Sequence, residues 1–228
     1  MFKKLIHTKR KATIINKERI SANLIRIDFR VDHIEYIPGQ YITLYIGKLI
    51  PRNYSIYRVS EDGEIFSIIV NINGNGVGRR TIKEFIVYEQ VHFIGPIGEF
   101  SFNSNDKTDN KWFIATGSGI SPLIPMILAN RDRYKIKLFF SARYKEDIFN
   151  MRINGIDSII SLTGKDSTWS GKFGRVTDTL LEELQKTDNR ENISFYICGN
   201  PKMVIDTKEF LINQNIEISK IYFEKFGF

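Results

Sequence analysis

The hydrophobic pattern of this 228-residue chain changes in character near residue 105. Before that point, short β-rich runs are separated by turn residues, which is typical of an antiparallel barrel. After it, apolar runs of strand length alternate with amphipathic runs of helix length, which predicts a parallel sheet covered by helices on both faces. We therefore expect two domains, an antiparallel β-barrel at 1–104 and an α/β parallel-sheet domain at 105–228.

The individual elements follow from the same pattern. In the first domain, strands are predicted at 24–29, 41–46, 52–58, 65–72 and 90–94, and one short helix at 79–85. In the second domain, strands are predicted at 112–115, 136–140, 158–162, 193–197 and 221–224, and helices at 122–130, 176–184 and 202–214. The polar stretch 103–110 is predicted to be the linker between the domains.

Composition restricts the kinds of cofactor that the chain can hold. The single cysteine excludes an intramolecular disulfide and every multi-cysteine zinc or iron-sulfur ligand set. The histidines, His7, His33 and His92, are too far apart in sequence for a helical metal-binding pair. We therefore expect no metal, and an organic molecule is the natural candidate for any redox cofactor.

Charge and hydropathy bear on location and partners. The first residues carry positive charge but no apolar core of signal-peptide length, and no run of about 18 apolar residues occurs, so we expect a soluble, cytoplasmic protein without a membrane partner. The net charge of +7 would attract an acidic partner and speed its encounter. A general lysine bias of the composition explains the same charge equally well.

A glycine-containing turn, Gly117 to Pro122, lies between a predicted strand and a predicted helix. Free backbone amides at the positive end of a helix bind a pyrophosphate well, and a proline suits the first helical turn. An ordinary strand-to-helix turn is the alternative. A proline replaces the third glycine of the usual dinucleotide fingerprint, so the turn is not the standard Rossmann signature.

The segment Arg52-Asn53-Tyr54-Ser55 lies on a predicted strand. Because strand side chains alternate, Arg52 and Tyr54 share one face and Asn53 and Ser55 share the other. An aromatic ring beside a guanidinium suits a planar ligand that carries phosphate. An edge strand with a surface arginine is the alternative.

Two further segments stand at positions where ligands bind. The glycine-rich turn Gly74 to Gly78, followed by Arg79 and Arg80, could form an anion-binding nest or a plain flexible hairpin. Cys198 follows a predicted strand at the carboxyl edge of the parallel sheet. Most lone cysteines are buried core residues, and no His/Asn pairing indicates a thiol hydrolase.

Taken together, Arg52 to Ser55, Gly117 to Pro122, Cys198-Gly199-Asn200-Pro201 and Glu224-Lys225-Phe226 resemble the ferredoxin-NADP reductase family. The resemblance covers roughly residues 10 to 228. It implies an FAD-dependent oxidoreductase that transfers hydride between NADP(H) and FAD. It also implies single-electron exchange with a separate carrier, an acidic ferredoxin or flavodoxin, since the chain has no ligands for an iron-sulfur domain of its own.

The resemblance also assigns roles to residues. It implies that Tyr54 lies against the isoalloxazine, that Ser55 offers its hydroxyl near flavin N5, and that Arg52 meets the pyrophosphate. The catalytic residues implied are Ser55, Cys198 and Glu224. The cofactor-binding residues implied are Arg52, Asn53, Tyr54, Ser55, Ile69, Val70, Gly76, Val77, Gly78, Thr116, Gly117, Ser118, Gly119, Arg143, Arg175, Cys198, Gly199 and Phe226.

The sequence departs from the family pattern at three places. Family members commonly have a serine where Gly78 stands, so backbone amides would replace one hydroxyl contact. At the end of the chain, either Phe226 or Phe228 would cover the flavin. Arg143 and Arg175 favour NADP, but Thr163-Gly164-Lys165 stands where the family has a Ser-Arg pair, with Lys165 as a substitute.

Two other functions are open at this point. A flavin reductase that releases reduced flavin as product would share the fold. A basic nucleic-acid-binding barrel would explain the high pI, but the barrel half lacks dense alternation of Lys/Arg with aromatics, and the second half would have no role. We therefore expect no nucleic-acid partner. The acceptor, the direction of electron flow and the oligomeric state do not follow from the sequence.

Overall fold

The computed structural model describes residues 8–46, 50–148 and 155–226. Contacts between Cα atoms divide the chain into two units, 1–101 and 102–228. The first unit is an antiparallel barrel and the second contains a parallel sheet. The predicted fold class is therefore confirmed.

The first unit contains six strands and one helix among its described residues. They are β1 (Arg10–Arg19), β2 (Leu24–Arg30), β3 (Tyr41–Ile46), β4 (Ile50–Val59), β5 (Ile65–Asn71), α1 (Val77–Glu84) and β6 (Gln90–Ile97). The strands close into a barrel in the order β1-β2-β5-β4-β3-β6. Alternate residues of β3 are buried, as a strand with one face on a core requires.

Aromatic rings fill the centre of the barrel. The ring centroids of Phe29 and Phe66 lie 4.9 Å apart, and those of Phe66 and Phe93 lie 5.4 Å apart. The helix α1 packs against the same core through the fully buried side chain of Ile82. Burying an amphipathic face in this way holds a helix that is too short to be stable alone.

The strand β1 has no counterpart among the strands predicted from the sequence. Only Ala12 and Ile14 of this strand are fully buried, and the register shifts between Ile14 and Asn16. A register shift of this kind breaks the period-two pattern on which a sequence prediction of a strand depends. The predicted helix at 79–85 also begins two residues earlier, at Val77.

The second unit contains six strands and three α-helices among its described residues. They are β7 (Asn110–Thr116), α2 (Ile120–Asn130), β8 (Lys135–Ala142), β9 (Asp157–Leu162), β10 (Lys172–Phe173), α3 (Val176–Gln185), β11 (Ile193–Gly199), α4 (Pro201–Asn213) and β12 (Ile221–Lys225). The strands form one parallel sheet in the order β10-β9-β8-β7-β11-β12. Because the chain moves outward from β7 in one direction and from β11 in the other, the carboxyl ends of these two strands form a topological switch point.

The segment 103–110 is part of the second unit and not a linker. The Asn103 amide N–H donates to the Tyr196 hydroxyl at 3.2 Å, and its Nδ2 donates to the Tyr222 hydroxyl at 2.8 Å. Asp106 pairs with the fully buried Lys111 at 2.9 Å. The linker prediction was wrong because the polar residues of this segment serve tight turns and a buried ion pair, which composition alone does not distinguish from disorder.

Within the described ranges, the helices are all too short or too polar to cross a membrane.

Candidate functional site

In the first unit, β4 brings the Arg52 to Ser55 segment to the end of the barrel core. Ile56 is fully buried in that core, Tyr54 is partly buried against it, and Arg52 is exposed. These three residues alternate along β4 and so share one face. Ser55 lies on the opposite face, is 5% exposed, and pairs with Tyr41 of β3. One face of β4 therefore carries the guanidinium of Arg52 and the ring of Tyr54, and the opposite face carries the hydroxyl of Ser55.

The first turn of α1 lies beside Arg52. The first intrahelical bond runs from the Arg80 amide to the Gly76 carbonyl, and no side chain caps the helix. A Cβ atom on Gly78 would lie 3.2 Å from Ile46 Cδ1 and 3.5 Å from Arg52 Cγ. Because residue 78 is a glycine, the backbone of α1 can approach Arg52 closely. The uncapped amides of the helix and the guanidinium therefore lie together, and both are groups that bind phosphate.

The phenol of Tyr54 is neutral at physiological pH. Burial raises its pKa to about 12, against the opposing effect of the Arg52 and Arg79 charges. Arg52 lies on the same face of β4 as Tyr54, and Arg79 lies in the first turn of α1, which is beside Arg52. The ring and the cations therefore form one surface that fits an aromatic ligand bearing phosphate, which is the chemistry of FAD.

The remaining predicted residues of the first unit differ in exposure, since Gly76 and Val77 at the start of α1 are exposed and those on β5 are buried. Ile69 and Val70 of β5 are each 4% exposed, and Val70 belongs to the barrel core. Asn53 is exposed and accepts a hydrogen bond of 2.8 Å from the Thr43 hydroxyl. Their roles toward FAD stay predictions.

In the second unit, the carboxyl edge of the sheet brings together the segments around residues 117 and 198. Cys198 of β11 is in register with Ala115 of β7 on one side and with Glu224 of β12 on the other. This row lies at the switch point between β7 and β11, where open α/β sheets bind ligands.

Two glycines make this close arrangement possible. A Cβ atom on Gly119 would lie 2.3 Å from the Cys198 carbonyl oxygen and 2.5 Å from Gly199 Cα. A Cβ atom on Gly199, whose φ is +147°, would lie 2.6 Å from Thr116 Oγ1. The turn after β7 and the turn after β11 are therefore in backbone contact.

Three buried polar atoms in this region have no hydrogen-bond partner among the described residues. They are Thr116 Oγ1, Ser121 Oγ and Glu224 Oε2. Because buried polar atoms are nearly always hydrogen-bonded, these three atoms have hydrogen-bonding capacity left for a polar ligand or for water. Thr116 and Glu224 were predicted. Ser121 was missed, although a hydroxyl in the first turn of the helix after Gly119 could have identified it.

Burial raises the pKa values of both ionisable groups in this row. Burial raises the pKa of the Cys198 thiol well above its usual range, and the Glu224 carboxylate adds to that effect. Burial also raises the pKa of Glu224 to about 7. A neutral thiol is a poor nucleophile, so Cys198 is suited to packing and orientation.

The backbone of Phe226 is hydrogen-bonded at the same carboxyl edge of the parallel sheet. The Phe226 amide donates to the Gly199 carbonyl at 2.8 Å, so the chain after β12 runs beside the turn after β11. Gly117 has a φ of +53°, and no atom lies within 4 Å of the position its Cβ would take. Ser118 follows it in the same turn. The alternative aromatic, Phe228, lies outside the described residues.

Basic residues follow three neighbouring strands of the sheet. Arg143 comes after β8, Lys165 after β9 and Arg175 after β10. The Gly164 amide donates to the Arg143 carbonyl at 3.0 Å, which joins the first two segments. The Arg175 amide donates to Asp178 Oδ2 at 2.7 Å, which also brings a carboxylate to this region.

Comparison with known families accounts for both units. Residues 11–102 match the oxidoreductase FAD-binding domain, and residues 113–209 match the oxidoreductase NAD-binding domain. These matches favour an oxidoreductase over a nucleic-acid-binding barrel.

Individual relatives are similar over most of the chain. The chain is 29% identical to the flavodoxin/ferredoxin–NADP reductase of Buchnera aphidicola subsp. Baizongia pistaciae, over 89% of each chain. It is 24% identical to protein RfbI of Salmonella typhimurium, over 85% of this chain, and it spans only 60% of that protein's length. A crystal structure of a Neisseria gonorrhoeae ferredoxin NADP+ reductase with bound FAD and NADP superposes with a TM-score of 0.83. That match has 22% identity and covers 95% of this chain and 98% of that one.

Proposed function

The chain belongs to the ferredoxin-NADP reductase family of FAD-dependent and nicotinamide-dependent oxidoreductases, and from that premise we propose a specific activity. The protein transfers hydride between NADP(H) and FAD and exchanges single electrons with a ferredoxin or a flavodoxin. The observation that carries the proposal is the Cys198–Glu224 row, with unpartnered buried polar atoms beside the turn that begins α2. A single free cysteine also suits the reducing cytoplasm, which we propose as its location.

The first unit supplies the flavin site. Bound FAD provides the redox chemistry that side chains lack, since it takes two electrons as hydride and gives them up singly. Arg52 and the uncapped amides of α1 bind its phosphates, and the ring of Tyr54 provides an aromatic surface for the isoalloxazine. Ser55 offers a hydroxyl that sheet pairing with Tyr41 holds in place.

The second unit supplies the nicotinamide-nucleotide site. The amides at the start of α2 bind the pyrophosphate, and the hydroxyls of Thr116 and Ser121 find their missing partners there. The neutral thiol of Cys198 orients the nicotinamide without forming a bond to it. Glu224 Oε2 can hold or release a proton near neutral pH because its pKa is about 7. Phe226 provides an aromatic cover that moves aside when the nicotinamide enters.

The coenzyme is NADP(H) in this proposal. Arg143, Lys165 and Arg175 follow adjacent parallel strands and so place three cations along one edge of the sheet. A 2′-phosphate on the adenosine ribose needs such cations, whereas a free 2′-hydroxyl does not.

An absorption spectrum and a coenzyme titration test the proposal together. The purified protein is expected to be yellow and to retain FAD through gel filtration. Under anaerobic conditions, NADPH should bleach the flavin at a much lower concentration than NADH. A colourless protein that reduces added flavin would favour the flavin-reductase alternative, and equal responses to both coenzymes would contradict the choice of NADP.

Replacement of the Cys198–Glu224 row should slow hydride transfer. In Cys198→Ala and in Glu224→Ala, single-turnover reduction of the flavin by NADPH should slow by about a hundredfold, because misplacing a reacting ring by 1 Å has an effect of that size. The FAD content should be unchanged, since the proposed flavin site is in the other unit. Glu209→Ala removes an exposed carboxylate of α4 and is the control. Reduction at the parent rate in both variants would remove the assigned roles.

A further inference from the structure

A lysine of β1 holds the carboxyl end of α1. The Lys17 ammonium donates to the Lys83 carbonyl at 2.5 Å and to the Phe85 carbonyl at 2.8 Å. Phe85 leaves the helix with a φ of −51° and a ψ of 135°, so no left-handed turn satisfies the last carbonyls of α1. A side chain that lies 66 residues from Lys83 in sequence therefore takes the place of a helix cap.

The backbone of the turn after α1 is also joined to β1. The Tyr88 amide donates to the Ile14 carbonyl at 2.7 Å, and the Ile14 amide donates to the Glu89 carbonyl at 2.9 Å. Glu89 Oε2 accepts from the Ile86 amide at 3.1 Å. Tyr88 has a left-handed φ of +73°, which a bulky residue adopts only where its surroundings impose it. These bonds fix the path of the chain after the helix.

The opposite end of α1 is the proposed phosphate site. The helix has eight residues, a length that is not stable without support from the rest of the protein. Ile82 and Phe85 anchor it in the barrel core, but its first turn has no side-chain cap. Support for the helix therefore comes from its buried side and from its carboxyl end, where Lys17 lies.

We infer that Lys17 is a positioning residue for FAD, which keeps α1 formed and so keeps the phosphate-binding amides of its first turn in place. The inference rests on the proposed function. Eight helical residues span about 12 Å, so Lys17 acts through the helix and does not touch the phosphates. Because phosphate binds to the formed turn, the apparent affinity for FAD falls with the fraction of molecules in which that turn is formed.

The charge of Lys17 suits this role. The amino end of a helix favours the negative charge of a phosphate, and the carboxyl end favours a cation. Burial lowers the pKa of Lys17, and the Glu89 charge opposes that effect. The ammonium is therefore partly removed from water, and the carbonyl oxygens at the end of α1 replace the lost hydration.

Removal of the ammonium tests the inference. Lys17→Met keeps the apolar stem of the side chain and removes its donor groups. Release of FAD from the purified holoprotein, followed by the rise of flavin fluorescence after dilution, should be about tenfold faster than in the parent. A factor of ten corresponds to about 1.4 kcal/mol, which is close to the contribution of one hydrogen bond to a charged group. Lys17→Arg keeps a cationic donor and should restore slow release.

Hydrogen exchange shows whether the effect is confined to α1. The Phe85 amide donates to the Thr81 carbonyl at the end of the helix and should exchange faster in Lys17→Met. The amides of β5 should exchange at the parent rate. Lys11→Met makes the same change at an exposed lysine of the same strand and is the control, in which both measurements should be unchanged.

The possible results separate the inference from the proposed function. Release of FAD from Lys17→Met at the parent rate, or equal acceleration in Lys11→Met, would overturn the inference. Faster exchange in β5 would do the same, because it would show a general loss of barrel stability, and so would fast release from Lys17→Arg. In each of these cases the parent protein still holds FAD. A parent protein without bound FAD would overturn the proposed function and the inference together.

Discussion

Asp106→Ala is expected to lower the free energy of unfolding of the second unit by about 3–5 kcal/mol. The Asp106 carboxylate lies 2.9 Å from Lys111 Nζ, and the two side chains are 5% and 0% exposed. Burial disfavours the carboxylate, but hydrogen bonds from Ser194 and Lys111 hold its pKa below the usual value. Removing it leaves the Lys111 ammonium with the Thr108 hydroxyl at 2.8 Å, the backbone carbonyl of residue 106 at 3.4 Å and the faces of two aromatic rings, and these groups do not replace a counter-ion.

Denaturant unfolding followed by tryptophan fluorescence measures this effect, because Trp112 lies in the core of the second unit. Asp132→Ala removes an exposed carboxylate after α2 and should change stability by less than about 0.5 kcal/mol. The double variant Asp106→Ala/Lys111→Met removes the unpaired charge as well and should recover most of the lost stability. A loss below about 1 kcal/mol in Asp106→Ala would show that the ammonium finds another partner or loses its proton.

Gly119→Ala is expected to destabilise the second unit by about 3 kcal/mol, at the upper end of the usual cost of overpacking. The new methyl group would meet the Cys198 carbonyl oxygen at 2.3 Å, and backbone atoms of a central strand cannot move aside as a side chain can. The turn after β7 would have to separate from the turn after β11. Reduction of the flavin by NADPH should therefore be lost together with stability, while FAD remains bound to the first unit.

Gly117→Ala is the matched control, since it makes the same change two residues earlier. No atom lies within 4 Å of the position of its Cβ, and only the left-handed φ of +53° carries a penalty, about 1 kcal/mol. The open space is where the pyrophosphate is proposed to lie, so this variant should raise KM for NADPH with a small change in stability. Equal stability losses in the two variants would show that the contact between Gly119 and Cys198 relaxes at little cost.

The strands with strong apolar character were predictable to within one or two residues at most ends. The predicted strand at 41–46 coincides with β3, and the predicted helix at 176–184 differs from α3 by one residue. The hydrophobic periodicity of these elements involves only residues close in sequence, so it can be recognised without knowing the tertiary structure. In contrast, β1 has few apolar residues and a register shift, and β10 has two residues, so neither has enough pattern to be recognised.

Two features of the structure depended on how the chain packs and not on any local pattern. One row of the sheet joins Ala115, Cys198 and Glu224, and the Asp106–Lys111 pair lies within a segment whose polar composition suggested a linker. Neither sheet register nor burial can be read from a single segment, because each depends on which strand lies beside it.

By itself, the amino-acid sequence determined the two-part architecture, the family and the segments that carry the chemistry, because periodicity and short motifs act over a few residues. Only the tertiary structure placed Cys198 between Ala115 and Glu224, left Thr116, Ser121 and Glu224 with unpartnered buried atoms, and raised the pKa of Glu224 to about 7. The physical reason is that burial and desolvation belong to the packed molecule. A carboxyl group acquires an unusual pKa only when other parts of the chain exclude water from it.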